Sequence, residues 1–178
     1  DFSLKKNLSN LADSKNKKFE NLRICVLDRP RHKRIIDEAK SLNIDVKLIT
    51  DGDVSGALLV TDKKYNIDLF LGTGGGPEGV LAASALDSYD CGFQGRFIFD
   101  TDQLKKRANK MGINDLDKKY KLNEIIKGDS LFCATGITKG DLVNGLELRD
   151  NKMVTSTLIT HKSQNMKKIV TGEIDIKK

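Results

Sequence analysis

The chain has 178 residues, of which 38% are hydrophobic and 31% charged, as in an ordinary soluble domain. It has no apolar run long enough to span a bilayer and no signal peptide at its start, so we expect a cytoplasmic protein without a membrane partner. The net charge of +6 favours anionic partners. Scarce aromatic residues and the lack of a recognition motif argue against nucleic acid, whereas small phosphorylated ligands suit this charge.

The first part of the chain carries a strand–helix–strand pattern. Residues 22–28 form a short apolar run rich in branched side chains, which predicts a buried strand. Segment 29–43 places Ile36, Ala39 and other apolar residues on one helical stripe, and residues 45–50 predict a second strand. Such units are nearly always parallel and right-handed.

The rest of the chain continues to alternate before it becomes strand-rich. After a short helix that follows residue 51, the predicted elements are a strand over 66–73, a helix over 77–89, a strand over 92–100, a helix over 103–112 capped by Asp100 or Thr101, a strand over 130–138 and an antiparallel meander over 144–176. We therefore expect one α/β domain over 1–178, with a mixed sheet and helices packed on it.

Three cysteines, Cys25, Cys91 and Cys133, lie far apart in the sequence. They match no zinc spacing and do not predict a disulfide framework. Each lies in or beside an apolar run, so we expect buried free thiols.

Three polar loops each follow a predicted strand, where ligands bind in open α/β sheets. The first loop, "DRPRH", offers Arg29 and Arg31 as a stiff fork for phosphate oxygens. The alternative is a helix start with incidental surface arginines. The second loop, Asp51–Asp53, could present two carboxylates to one ligand if its backbone is extended. The alternative is a tight turn in which Asp53 caps the next helix.

The third loop, "GTGGGPEG", lets the backbone approach a ligand closely at Gly74–Gly76. It then starts a helix with Pro77 and Glu78, and an acidic residue there can simply compensate the helix dipole. No Walker lysine follows, which excludes a P-loop. If the three loops converge, their chemistry suits a phosphorylated, hydroxyl-rich small molecule.

Five motifs follow one another along the chain and together point to a known family: "LDRPRH", "DGDVSGAL", "GTGGGPEGVLAASAL", "QGRF" and "CATGITKGDLVNG". The chain resembles the carboxyl-terminal half of class II fructose-1,6-bisphosphatases, the bacterial type within the lithium-sensitive sugar phosphatases. The resemblance implies an α/β/α/β/α sandwich and metal-dependent hydrolysis, in gluconeogenesis, of the 1-phosphate of fructose 1,6-bisphosphate, with sedoheptulose 1,7-bisphosphate used by some relatives.

The resemblance also implies residue roles. It assigns Glu78 as a ligand of Mn²⁺ or Mg²⁺ and places no other catalytic group in this half. The substrate-binding residues that it implies are Arg29, Pro30, Arg31, Asp51, Gly52, Asp53 and Gly75. Two departures are Gly76, where alanine is expected, and His161, where arginine is expected.

The family chain is much longer, and its amino-terminal half supplies most of the metal ligands. We therefore expect the isolated chain to be inactive without that half as a partner, and we expect a homo-oligomer, as in many family members. The alternative is a non-catalytic module that binds phosphosugars and lacks the metal-binding half.

Overall fold

The first apolar run forms the centre of a parallel sheet. A computed structural model of the chain describes residues 2–176. Strand β1 (Arg23–Leu27) lies between β2 (Asp45–Ile49) and β3 (Leu69–Leu71), and both pairings are parallel. Four of the five residues of β1 are buried, since helices cover both faces of this sheet. The predicted strand–helix–strand unit is confirmed.

Two helices cover one face of the parallel sheet, α1 (Leu4–Ser14) and α2 (Lys33–Ser41). Ile36 and Ala39 of α2 are buried there, as their helical spacing predicts. With the strand residues they form one core cluster, whose buried members are Leu8, Ala12, Leu22, Ile24, Val26, Ile36, Ala39 and Ile44. Helix α1 has no counterpart among the predicted elements.

The other face carries helix α3 (Asp53–Leu58), which packs against α4 (Gly76–Asp87). Helix α4 also packs against an antiparallel sheet, so it joins the two halves of the fold. The buried residues of this second cluster are Ala57, Leu58, Ala82, Ala85, Leu86, Phe132 and Leu158. Short 3₁₀ turns occupy Phe19–Asn21, Pro30–His32, Leu59–Thr61 and Lys63–Tyr65.

The predicted meander is confirmed as an antiparallel sheet. Its strands are β6 (Leu131–Thr135), β7 (Glu147–Arg149), β8 (Lys152–His161) and β9 (Met166–Asp175). Strand β8 pairs with each of the other three, and the turn before it holds Asp150 and Asn151 at φ of 47° and 62°. The α/β class is confirmed, with parallel and antiparallel pairing in separate sheets.

The segment between the sheets differs from the prediction. Of the strand predicted over 92–100, only β4 (Gln94–Gly95) forms, and it pairs with β5 (Tyr120–Lys121). The aromatic residues that favour a strand here instead contact one another, with the rings of Phe97 and Phe99 5.9 Å apart. The segment also contains helices α5 (Asp102–Lys110) and α6 (Leu122–Ile125). Of the two caps predicted for α5, Asp100 and Thr101, the structure has the side chain of Thr101 as the N-cap.

All three cysteines are free thiols, but only Cys25 is buried. Burial raises the pKa of the Cys25 thiol to about 11. Cys91 is half-buried and Cys133 is exposed, so the expectation of burial is wrong for both. Cys133 alternates with the buried Phe132 along β6, and the strand's pleat therefore turns it to the outer face of the sheet. None of the helices within residues 2–176 is both long and apolar enough to cross a membrane.

Candidate functional site

Three loops meet at the carboxyl edge of the parallel sheet. The turn Pro30–His32 follows β1, α3 follows β2, and α4 follows β3. Between them lies an open depression of about 380 Å³, whose lining residues are Arg31, Asp53, Thr73, Gly74, Gly75 and Glu78. Four of the residues named from the sequence, Arg31, Asp53, Gly75 and Glu78, are therefore neighbours although 47 positions separate the first from the last.

Arg31 is oriented by the loop opposite. Its Nε–H donates a hydrogen bond of 2.5 Å to the carbonyl of Thr73. That bond holds the plane of the guanidinium and leaves its terminal N–H groups as the donors that can reach a ligand in the depression. A planar fork held in this way matches two oxygens of a phosphate.

His32 follows Arg31 and is completely buried. Its Nδ1 lies 2.9 Å from the carbonyl oxygen of Leu27, at the end of β1. Its Nε2 accepts a hydrogen bond of 2.8 Å from the backbone N–H of Thr73. The ring therefore connects the loops that follow β1 and β3. The motif "LDRPRH" contains this histidine, but its spacing alone gives no sign of these partners.

The segment Asp51–Asp53 is not extended, so the condition for presenting both carboxylates to one ligand is not met. Gly52 has a φ of 89°, a left-handed conformation that suits glycine, and it precedes the first residue of α3. The turn sends the two carboxylates to different neighbours. Asp51 is 94% exposed at its side chain and lies 3.6 Å from Arg29, whereas Asp53 lines the depression against Gly74. Asp53 begins the helix and makes no side-chain cap.

Gly75 and Glu78 are fitted to each other at the start of α4. Glu78 lies in the first turn, and its carboxylate folds back over Gly75. A Cβ atom on residue 75 would lie only 2.1 Å from Oε2 of Glu78. The backbone of Gly75 has φ −71° and ψ 151°, which other residues also adopt. A side chain at residue 75 would therefore displace the carboxylate of Glu78 from this position.

The depression combines one guanidinium with the carboxylates of Asp53 and Glu78. Within residues 2–176, no group of three or more His, Cys, Asp or Glu side chains is arranged to hold a metal ion. A hard cation such as Mg²⁺ or Mn²⁺ needs several oxygen ligands. The residues described here therefore provide at most part of a metal site.

The remaining candidates lie beside the depression. Arg29, Pro30, Asp51 and Gly52 do not line it, although Pro30 starts the turn that carries Arg31. The motif "CATGITKGDLVNG" has a connecting role, because Tyr65 donates to the carbonyl of Asp141 at 2.8 Å. His161, where arginine was expected, lies 2.7 Å from Asp129.

The fold and the site together define a class of protein. This is an α/β chain whose strand-end loops bring a guanidinium, a glycine-rich backbone and two carboxylates into one open depression. That chemistry suits a phosphorylated, hydroxyl-rich small molecule.

Comparison with known proteins gives the family. The family model described as bacterial fructose-1,6-bisphosphatase, glpX-encoded, matches residues 1–173, and the chain belongs to this family. The resemblance drawn from the motifs is confirmed.

Two curated relatives illustrate how much of the family chain is present. A D-fructose 1,6-bisphosphatase class 2/sedoheptulose 1,7-bisphosphatase of Trichodesmium erythraeum is 36% identical over an alignment of 170 positions, which covers 88% of this chain and 49% of that protein. A fructose-1,6-bisphosphatase class 2 of Haemophilus influenzae is 36% identical over an alignment of 181 positions, which covers 93% of this chain and 54% of that protein. The chain spans about half the length of the curated relatives it matches.

Proposed function

We propose that this chain is the sugar-phosphate-binding part of a class II fructose-1,6-bisphosphatase. In this proposal the whole enzyme hydrolyses the 1-phosphate of fructose 1,6-bisphosphate. The double name of the Trichodesmium relative extends the substrate class to sedoheptulose 1,7-bisphosphate. The observation that carries the proposal is the convergence of Arg31, Asp53, Gly75 and Glu78, from three separate loops, on one depression.

The side chains divide the binding of such a substrate between them. Arg31 donates to phosphate oxygens through its free N–H groups, while its Nε stays bonded to Thr73. Asp53 accepts hydrogen bonds from sugar hydroxyls. The backbone of Gly74 and Gly75 lies against the ligand, because neither residue carries a side chain that would keep it away. Arg29 and Asp51, which pair with each other, border this arrangement.

Glu78 is the proposed ligand of Mn²⁺ or Mg²⁺. Such an ion, when bound, neutralises phosphate charge and lowers the pKa of a coordinated water. The described residues do not form a complete site for it. We therefore assign the other ligands, and the groups that activate water, to the part of the family chain that this sequence does not match. A cytoplasmic location and a homo-oligomer are further predictions.

Two measurements on the 178-residue chain test the proposal. Calorimetry should show binding of fructose 1,6-bisphosphate that is weakened by Arg31→Ala. Phosphate release with Mn²⁺ should be absent or nearly so, and robust turnover by the chain alone would contradict the division of labour between the two halves.

A hybrid enzyme provides the complementary test. It joins these 178 residues to the amino-terminal half of a relative such as the Haemophilus influenzae protein. This hybrid should release phosphate in the presence of Mn²⁺, and Glu78→Gln should abolish most of that activity while the fold stays intact. Unchanged turnover in the Glu78→Gln hybrid would leave Glu78 with dipole compensation as its only role.

One observation favours a second candidate, a phosphosugar-binding module without catalysis. It is the lack of a metal-binding cluster within residues 2–176. A module should bind the bisphosphate equally well with and without Mn²⁺, and the hybrid should remain inactive. Hydrolysis by the hybrid would exclude the module.

A further inference from the structure

We propose that His32 is a positioning residue that holds the backbone of Thr73 in place. It thereby orients both the glycine loop and the guanidinium of Arg31 for binding the phosphosugar. The proposal extends the proposed function and rests on it for the identity of the ligand. His32 itself does not line the depression.

The position of the ring gives the first argument. His32 is completely buried at the junction of the loops that follow β1 and β3. Nδ1 lies 2.9 Å from the Leu27 carbonyl, and Nε2 lies 2.8 Å from the N–H of Thr73, a residue 41 positions away. The ring also packs beneath the glycine loop, since a Cβ on Gly72 would be 3.6 Å from Cε1 of His32.

The two partners assign the proton of the imidazole. Nδ1 faces a carbonyl oxygen, which can only accept, so Nδ1 carries the hydrogen. Nε2 faces a backbone N–H, which can only donate, so Nε2 presents its lone pair. The opposite tautomer would direct Nε2–H towards the Thr73 carbonyl 3.2 Å away and leave the Thr73 N–H without this acceptor. Only the Nδ1–H tautomer satisfies both short contacts.

The backbone of Thr73 is therefore held at both of its hydrogen-bonding groups. Its N–H donates to His32, and its carbonyl accepts from Nε of Arg31. If the contact with His32 is lost, Thr73 can rotate, and Arg31 loses the acceptor that orients its plane. Thr73 and Gly74 line the depression, so the same rotation moves the backbone that faces the ligand.

Two conservative variants separate this role from a general contribution to stability. The amide nitrogen of asparagine lies close to the position of Nδ1, so His32→Asn keeps the donor to Leu27 and loses the acceptor for Thr73. The longer amide of glutamine reaches the position of Nε2, so His32→Gln keeps an acceptor for Thr73 and loses the donor to Leu27. Each variant removes one buried hydrogen bond, and their losses of stability should be similar.

The first readout is calorimetry with fructose 1,6-bisphosphate on the 178-residue chain. We expect His32→Gln to bind nearly as well as the original chain and His32→Asn to bind about tenfold more weakly, a loss equivalent to one hydrogen bond. Equal affinity in the two variants, whether retained or lost, would overturn the positioning role.

The second readout does not depend on the proposed function. Hydrogen exchange at the Thr73 amide should stay slow in His32→Gln and become fast in His32→Asn, and nitrogen chemical shifts of the unmodified chain should show His32 protonated at Nδ1. Protonation at Nε2, or equal exchange in the two variants, refutes the proposal. If the original chain does not bind the bisphosphate, the proposed function fails, and the exchange data still decide whether His32 positions Thr73.

Discussion

Gly75→Ala should remove activity without weakening the fold. The added Cβ would lie 2.1 Å from Oε2 and 3.1 Å from Cδ of Glu78. Non-bonded heavy atoms settle at about 3.5 Å, so the carboxylate oxygen must retreat by more than about 1 Å. Displacements of about 1 Å in a catalytic site can cost about 100-fold in rate. We expect a loss of that order if Glu78 holds the metal.

The stability of the fold should change little in Gly75→Ala. The φ and ψ of Gly75, −71° and 151°, are allowed for alanine. Replacing a glycine with such angles stabilises a protein by about 0.4–1 kcal/mol, because the unfolded chain has less freedom to lose. Gly75 is, however, the N-cap of α4, where alanine is less favourable than glycine and offsets this gain. The clash involves the end of a flexible, exposed side chain, which can move at little cost. The free energy of unfolding should therefore stay within about 1 kcal/mol of the original value.

Gly79→Ala is the matched control. Gly79 lies in the same helix, and a Cβ there meets no atom within 4 Å in the described chain. It should stabilise α4 by about 0.5–1 kcal/mol and leave activity unchanged. Urea unfolding of the chain and Mn²⁺-dependent phosphate release by the hybrid provide the two readouts. Full activity in Gly75→Ala would refute the idea that the added Cβ displaces the Glu78 carboxylate. Global unfolding would show that Glu78 cannot move aside.

Three further variants test the binding and stability arguments. Arg31→Ala should weaken calorimetric binding of fructose 1,6-bisphosphate about tenfold or more, since it removes charge-assisted hydrogen bonds; unchanged affinity would remove Arg31 from the site. Asp68→Asn should lower the free energy of unfolding in urea by about 2 kcal/mol at pH 7, because Asp68 pairs with Lys15 and Lys17. Burial raises the pKa of Asp68, but hydrogen bonds from these lysines and a backbone N–H outweigh it and lower the pKa overall. The stabilisation is therefore complete above the unfolded-state pKa of about 4 and is lost as the pH falls through the lower folded-state pKa, so a constant difference down to low pH would contradict it. Thr160→Val should raise the unfolding free energy by about 1 kcal/mol, since the buried hydroxyl has no hydrogen-bond partner among residues 2–176, and a lower value would show that it has one.

The buried strands were predictable because their local signal and their final environment agree. Strand β1 is apolar at nearly every position and is buried on both faces, so no tertiary contact overrides its preference. Segment 92–100 shows the opposite case. Its aromatic residues favour a strand locally, yet Phe97 contacts Phe99 and Tyr120, with ring centroids 5.9 and 5.8 Å apart. Helix α1 lies outside the predicted elements, although Leu4, Leu8 and Leu11 follow the spacing of a helical stripe.

The candidate site was predictable in outline because parallel strands place their carboxyl ends at one edge. The sequence could not reveal how each side chain is held there. Gly52 takes a left-handed conformation that separates Asp51 from Asp53, and the pattern "DGD" is compatible with either arrangement. His32 acts across 41 positions of sequence, and only the fold brings Thr73 beside it.

Each loop could be explained from sequence either as ordinary helix-start chemistry or as part of a ligand site. The structure shows why these explanations do not compete. Pro30 begins a 3₁₀ turn and Glu78 lies in the first turn of α4, where an acidic side chain stabilises the helix dipole. A helix that follows a parallel strand starts at the carboxyl edge of the sheet, so residues that favour its start also face whatever binds there. The proposed role of Glu78 as a metal ligand is therefore compatible with stabilisation of α4 by the same carboxylate, and Gly75 leaves space for that carboxylate.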